Sequence, residues 1–233
     1  AGGLAYRLVK PLRRTGMRNL EMAFPEMSDE QRTKLLRGTF ANLGRMFGEL
    51  SQFPKATPES LAELIEFDFP DDIWNEYKAL SETGRGIIII SPHMGNWEML
   101  VYAWSTHYQP MSYLARPLDN PRIEDLTHRL RTKFGNRPIN KTNAMNRAIR
   151  VLREGGILGI LADVNTHPKE GVFVPFFGID ACTSGGPAML ALRTGAKILP
   201  IAGVWDEKKQ KYLAIHGEMI TAADTGDRKA DVA

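Results

Sequence analysis

Two side chains that could move a proton, His93 and Glu98, stand five positions apart in SPHMGNWEML (91–100), directly after the apolar run GIIII. An imidazole ordinarily titrates near neutral pH, so it can take a proton from a hydroxyl and hand it on. It works best when a carboxylate fixes its tautomer and stabilises the imidazolium. Glu98 could be that carboxylate if the chain turns between the two residues. Pro92 disfavours helical backbone at Ser91, and Gly95 permits a sharp turn. The plain alternative is a strand-end histidine followed by an acidic residue at a helix N-terminus. An isolated H-x4-E is short enough to arise by chance.

Further polar residues follow other apolar runs. Arg116 comes after MSYLA and could stabilise developing negative charge or grip a phosphate; the alternative is a surface ion pair. Asp163 and Asn165 come after GILGILA. Asp163 could hold a second proton or orient an acceptor hydroxyl; the alternative is a turn residue. In GVFVPFFG, Phe176 and Phe177 read either as core packing or as part of a slot for an acyl chain. SGGPA could hold an anion at a helix start, but it has neither the P-loop lysine nor GxGxxG. The remaining histidines, His107, His128, His167 and His216, lack metal-site spacing, and no HExxH occurs. The single cysteine, Cys182, allows no internal disulfide, which fits a reducing compartment, and builds no zinc-thiolate cluster.

These residues need a scaffold that brings distant positions together. The chain has 233 residues, 43% hydrophobic and 24% charged, ordinary values for a globular protein able to bury a core. Residues 25–50 predict a long helix with a Ser28/Gln31 capping box, broken by Pro54 and Pro58. Short helices are expected near Pro58–Ile65 and Asp71–Glu82. Strand and helix then alternate. GRGIIII, MSYLAR, GILGILAD, AKILPIAGVW and KYLAIHG read as strands, GVFVPFFG as extended chain, and the segments near 96–107, 120–135, 143–155 and 184–195 as helices. This alternation predicts an α/β fold: one domain with a largely parallel central sheet flanked by helices. The core is expected over 86–233, with a helical layer over 1–85. In such sheets ligands gather outside the carboxyl ends of the strands, where His93, Glu98, Arg116, Asp163 and Asn165 would converge.

The net charge is +3, but Arg7, Lys10, Arg13, Arg14 and Arg18 all precede the first acidic residue, Glu21. Such a cluster reads equally as a solvated helix face or as a contact for anionic lipid head groups. No nucleic-acid motif accompanies it. No apolar run reaches the ~18 residues of a bilayer span. The sequence opens on Ala and stops at RKADVA, within a predicted helix, so both ends are expected to be cut from a longer protein.

SPHMGNWE resembles the HxxxxD/E signature of glycerolipid-type acyltransferases, in the form used by the bacterial lipid A biosynthesis acyltransferases of the lauroyl and myristoyl transferase type. RNLEMAFPEMS, ARPLDNP, and GILGILADVN followed by GVFVPFFGIDACTSGGPAMLALRTGAKILP resemble further family segments, in family order across most of residues 18–205. The resemblance implies an O-acyltransferase at the cytoplasmic face of the bacterial inner membrane. His93 would deprotonate an acceptor hydroxyl, oriented by Glu98, for attack on an acyl carrier protein thioester. Asp163 would be a third catalytic residue. Arg116, Asn96, Asn165, Phe176 and Phe177 would contact substrate. The acceptor would be a lipid A precursor or, in related families, a lysophospholipid or a phosphatidylinositol mannoside; a non-catalytic lipid-binding relative is the alternative. No metal or redox cofactor is implied. The implied partners are the thioester donor, the lipid acceptor and an anionic membrane surface. Relatives often carry Gln directly after the aspartate, where this chain has Val164 and then Asn165. The family's hydrophobic N-terminal anchor helix and its C-terminal helical segment are not in this sequence.

Overall fold

The structure, a computed structural model, describes residues 2–140 and 143–232. In chain order its elements are α1 (Gly2–Leu8), α2 (Lys10–Ala23), α3 (Asp29–Leu50), α4 (Pro58–Leu64), β1 (Ile65–Phe67), α5 (Asp71–Glu82), β2 (Ile87–Ser91), α6 (Trp97–His107), β3 (Ser112–Leu114), α7 (Pro121–Thr132), β4 (Arg137–Ile139), α8 (Ala144–Arg153), β5 (Ile157–Leu161), β6 (Gly171–Phe176), β7 (Ile179–Ser184), α9 (Gly186–Thr194), β8 (Lys197–Asp206), β9 (Lys211–His216) and α10 (Arg228–Val232). Contacts group them into two units: Ala1–Lys55 with Val174–Ala181, and Ala56–Phe173 with Cys182–Ala233. The first division falls after Lys55, so α4 and α5 group with the sheet.

In the first unit, α3 starts at the expected capping box. Gln31 N–H donates to Ser28 Oγ (3.3 Å), and Ser28 N–H donates to Gln31 Oε1 (2.8 Å). Two orphan donors of the first turn are thereby satisfied. Leu36, Phe40 and Met46 of α3 are buried, and Tyr6 of α1 meets Phe40 edge-on at 5.4 Å. Arg7, Lys10, Arg14 and Arg18 are exposed, while Arg13 lies over the Tyr6 ring. Leu4, Leu8 and Leu12 are all at least 60% exposed. At the hairpin tip, Phe177 and Gly178 both have positive φ (51° and 73°), as a two-residue type I′ turn requires. The Phe177 ring meets Phe24 at 5.2 Å.

The second unit holds a seven-stranded sheet of order β1-β9-β8-β2-β5-β3-β4. Every neighbouring pair is parallel except β8–β9. The fold is therefore α/β with a largely parallel sheet, as the alternating pattern predicts. Ile87, Ile88 and Ile89 of β2 are buried because both faces of this central strand are covered. On one face Ile88, Leu158 and Ile198 pack against Leu152 of α8 and Leu190 of α9. The other face lies toward α6, whose Met99, Leu100 and Trp104 are buried. Strands β1 and β4 were not anticipated, since three residues are too few to display alternation.

Candidate active site

The sheet order places β2, β5 and β3 side by side, parallel and in register, with Ser91 opposite Leu161. His93, Asp163 and Arg116 each stand two residues beyond the last residue of these strands: Ser91, Leu161 and Leu114. The ladder continues past the strand ends, where Ala162 N–H donates to Ser91 C=O at 3.2 Å. This brings His93 and Asp163 together. His93 N–H donates to Asp163 Oδ2 at 2.8 Å, and the ring Nδ1 lies 2.7 Å from Oδ1. An ionised carboxylate only accepts, so Nδ1 carries a hydrogen, and in the neutral ring this leaves the lone pair on Nε2. Burial of the Asp163 carboxyl works to raise its pKa. The bonds from the His93 ring and backbone and the nearby charge outweigh this, holding it below the usual carboxylate value. Both side chains stay about one-third exposed (38% and 32%), open to a reactant. The Trp97 ring flanks the imidazole edge-on at 5.0 Å.

Glu98 has a different neighbourhood. Its carboxylate accepts from Arg131 Nη2 at 2.5 Å and Nε at 3.3 Å, and from the Tyr102 hydroxyl at 3.4 Å. The Glu98 and Arg131 side chains are only 20% and 17% exposed. Burial works to lower the Arg131 pKa, but the hydrogen bonds and charge of Glu98 outweigh it and hold the guanidinium above its ordinary value. Burial first, and Glu98 second, push the Tyr102 hydroxyl up.

The carboxylate meeting the His93 ring is therefore Asp163, in place of the expected Glu98. The reason is local. Gly95 turns the chain at φ +65°, so close to β8 that a Cβ would stand 1.6 Å from Gly203 O. Asn96 then caps α6, its Oδ1 accepting from Met99 N–H at 3.1 Å. Helix α6 thus starts at Trp97, and Glu98 leaves its first turn toward Arg131 of α7. The shared two-residue offset beyond adjacent parallel strands is a signal that could have found the His93–Asp163 pair. Arg131 had no such signal; it lies inside a helix with arginines also at 122 and 129.

The other candidates have settings of their own. Asn96 is 1% exposed and serves as the buried cap just described. Arg116 lines the site, 72% exposed, with a long ion pair to Asp119 at 3.4 Å. Asn165 is exposed in the loop after Asp163. Phe176 and Phe177 are exposed (61% and 52%) and belong to the first unit. A cavity of about 340 Å³ opens at His93, Glu98, Arg116 and Arg131. It runs between the sheet and α6, walled by Ile89, Leu100, Trp104, Tyr113 and Gly159. Among the described residues no group of three or more His, Cys, Asp or Glu side chains could hold a metal ion. No described helix is long and apolar enough to cross a membrane.

The profile of the bacterial lipid A biosynthesis acyltransferase family matches residues 1–231. The lipid A biosynthesis lauroyltransferase of Escherichia coli K12 is 29% identical over 205 residues, covering 85% of this chain and 63% of that protein. The lipid A biosynthesis myristoyltransferase of the same strain is 22% identical over 213 residues, covering 90% and 64%. The phosphatidylinositol mannoside acyltransferase of Mycolicibacterium smegmatis is 26% identical over 193 residues, covering 81% and 62%. The chain thus spans about 63% of the length of such relatives.

Proposed function

We propose that this chain, which belongs to the bacterial lipid A biosynthesis acyltransferase family, carries the site of an enzyme moving a fatty acyl group from a thioester to a lipid hydroxyl. The observation carrying the proposal is the His93–Asp163 pair, whose imidazole lines a largely apolar cavity. His93 Nε2 takes the proton of the acceptor hydroxyl, whose oxygen attacks the thioester carbonyl. Asp163 holds Nδ1–H and offsets the imidazolium charge. Collapse of the tetrahedral intermediate breaks the C–S bond, and the imidazolium protonates the departing thiolate. The products are an ester and a free thiol. Arg116, exposed at the mouth, meets the oxyanion or an acceptor phosphate. Glu98 and Arg131 brace α6 against α7 around this site and act through position.

The donor on this reading is an acyl carrier protein thioester, and the acceptor is a lipid A precursor at the cytoplasmic face of the inner membrane. The relative named for phosphatidylinositol mannosides supports a mannoside acceptor as a second reading. The exposed cations and leucines of α1 and α2 support attachment to an anionic bilayer surface. Removing Arg14 and Arg18 is expected to weaken binding to anionic vesicles at low salt by about 1 kcal/mol per charge. Unchanged affinity removes the membrane role.

The test of function is ester formation by the full-length parent protein. Acyl carrier protein or coenzyme A thioesters serve as donors, with a lipid A precursor, a lysophospholipid or a phosphatidylinositol mannoside as acceptor. Transfer to one acceptor, unaffected by a chelator, supports the reading. No transfer to any acceptor overturns it.

A further inference from the structure

We propose that Gly159 and Met111 form the floor that sets the acyl chain length the cavity accepts, an inference that rests on the acyl-transfer reading above. The registers divide the sheet face into rows. Ile89, Gly159 and Tyr113 make one row across β2, β5 and β3. Ser91 and Leu161 pair one row nearer the mouth, and Ala115 continues β3 at that end. All six line the cavity. One row deeper, Met111 also lines it at 4% exposure, while the cross-strand pair Ile87 and Ile157, each 1% exposed, belongs to the packed core. The lumen therefore stops at Met111.

Its reach fits one chain. Four residue steps of extended backbone lead from Ala115 to Met111, and at ~3.3 Å each they cover about 13 Å. One leaflet of fatty acyl chains is about 15 Å deep, half of a ~30 Å hydrocarbon core. The wall along this path is largely apolar, with Ile89, Leu100, Trp104 and Met111, surface that an acyl chain covers favourably.

Gly159 occupies the middle of the central row without a side chain. A Cβ there would stand 3.1 Å from Tyr113 Cβ and 3.2 Å from Met111 Sδ. Tyr113 Cβ is tied to the backbone of β3 and yields little. Met111 is unbranched and flexible, the kind of side chain that can be moved. A methyl at 159 thus takes lumen space directly or drives Met111 further into it. Truncating Met111 instead opens the lumen by one row.

Gly159→Ala, Met111→Ala and the double variant test this on a ladder of saturated acyl thioesters, with kcat/KM as the readout. Titration with free fatty acids of the same lengths, followed by tryptophan fluorescence, gives a second readout, since Trp97 and Trp104 line the cavity. Gly159→Ala is expected to shift the optimum shorter, with discrimination against the wild-type optimum of about tenfold or more. Met111→Ala shifts it longer, and the double variant returns toward wild type. An unchanged length profile in both single variants overturns the floor while leaving acyl transfer standing. If Gly159→Ala fails to fold, Met111→Ala decides alone. Wild-type protein that binds fatty acids in this length-dependent way yet transfers none sinks the functional reading and keeps the floor. Binding with no length dependence sinks the floor.

Discussion

Glu98 lines the cavity and Asp163 holds the His93 ring that lines it, yet the two carboxylates live in opposite settings. Asp163 sits on a loop with its partner His93, each about one-third exposed, and their bond joins two strand ends 70 positions apart in sequence. Glu98 sits in the first turn of α6, four-fifths buried, with Arg131 of α7 across from it. An open pair can accept a reactant and change protonation during turnover. A buried pair cannot lose one member cheaply, because the other is left charged and unpaired. On the proposed acyl-transfer reading, this difference suits the first pair to proton handling and the second to positioning.

The sharpest break is His93→Ala, expected to lower acyl transfer by about 10²- to 10⁴-fold with circular dichroism unchanged. A variant keeping most of its activity removes the base from the mechanism. Asp163→Asn comes next, with a loss on the order of 10³-fold and little change in stability. The amide can donate to Nδ1 and so favours the wrong tautomer. Unaltered turnover would return the orienting role to Glu98.

Glu98→Ala reverses the ranking of the two readouts. Stability is expected to fall by about 3 kcal/mol in urea unfolding, because the Arg131 charge loses its partner. Pairing it with Arg131→Met should recover most of that loss. A purely kinetic defect, with stability intact, would place Glu98 in the chemistry instead.

The smallest effect is a pH dependence of stability. The Asp163 pKa is lowered in the folded state. Its stabilisation is therefore complete above the unfolded value of about 3.9 and is lost as pH falls through the lower folded value. Melting temperatures of wild type and Asp163→Asn should converge at the acid end and separate above about pH 4. A constant gap across that range counts against the charged pair.

Much of the frame was legible. GRGIIII announced a strand buried on both faces, and Ser28 with Gln31 announced the start of α3. Both signals are local, carried by neighbouring residues of strong preference. The short edge strand β1 and the helices α1 and α2 gave no comparable pattern. Phe176 and Phe177 read by default as core, with an acyl slot as the alternative, and they stand exposed at a hairpin tip. Hydrophobicity reports that a side chain avoids water, not which surface it faces.

The sequence by itself determined the α/β class, the family, and that His93, Arg116 and Asp163 follow strand ends. Only the tertiary structure decided which of them meet. The strand order β2-β5-β3 carries Asp163 to His93 across 70 positions, while the turn at Gly95 and the Asn96 cap send Glu98 toward Arg131. Side-chain type limits what a residue can do. Partnership depends on register and helix direction, which arise from packing between segments far apart in the chain.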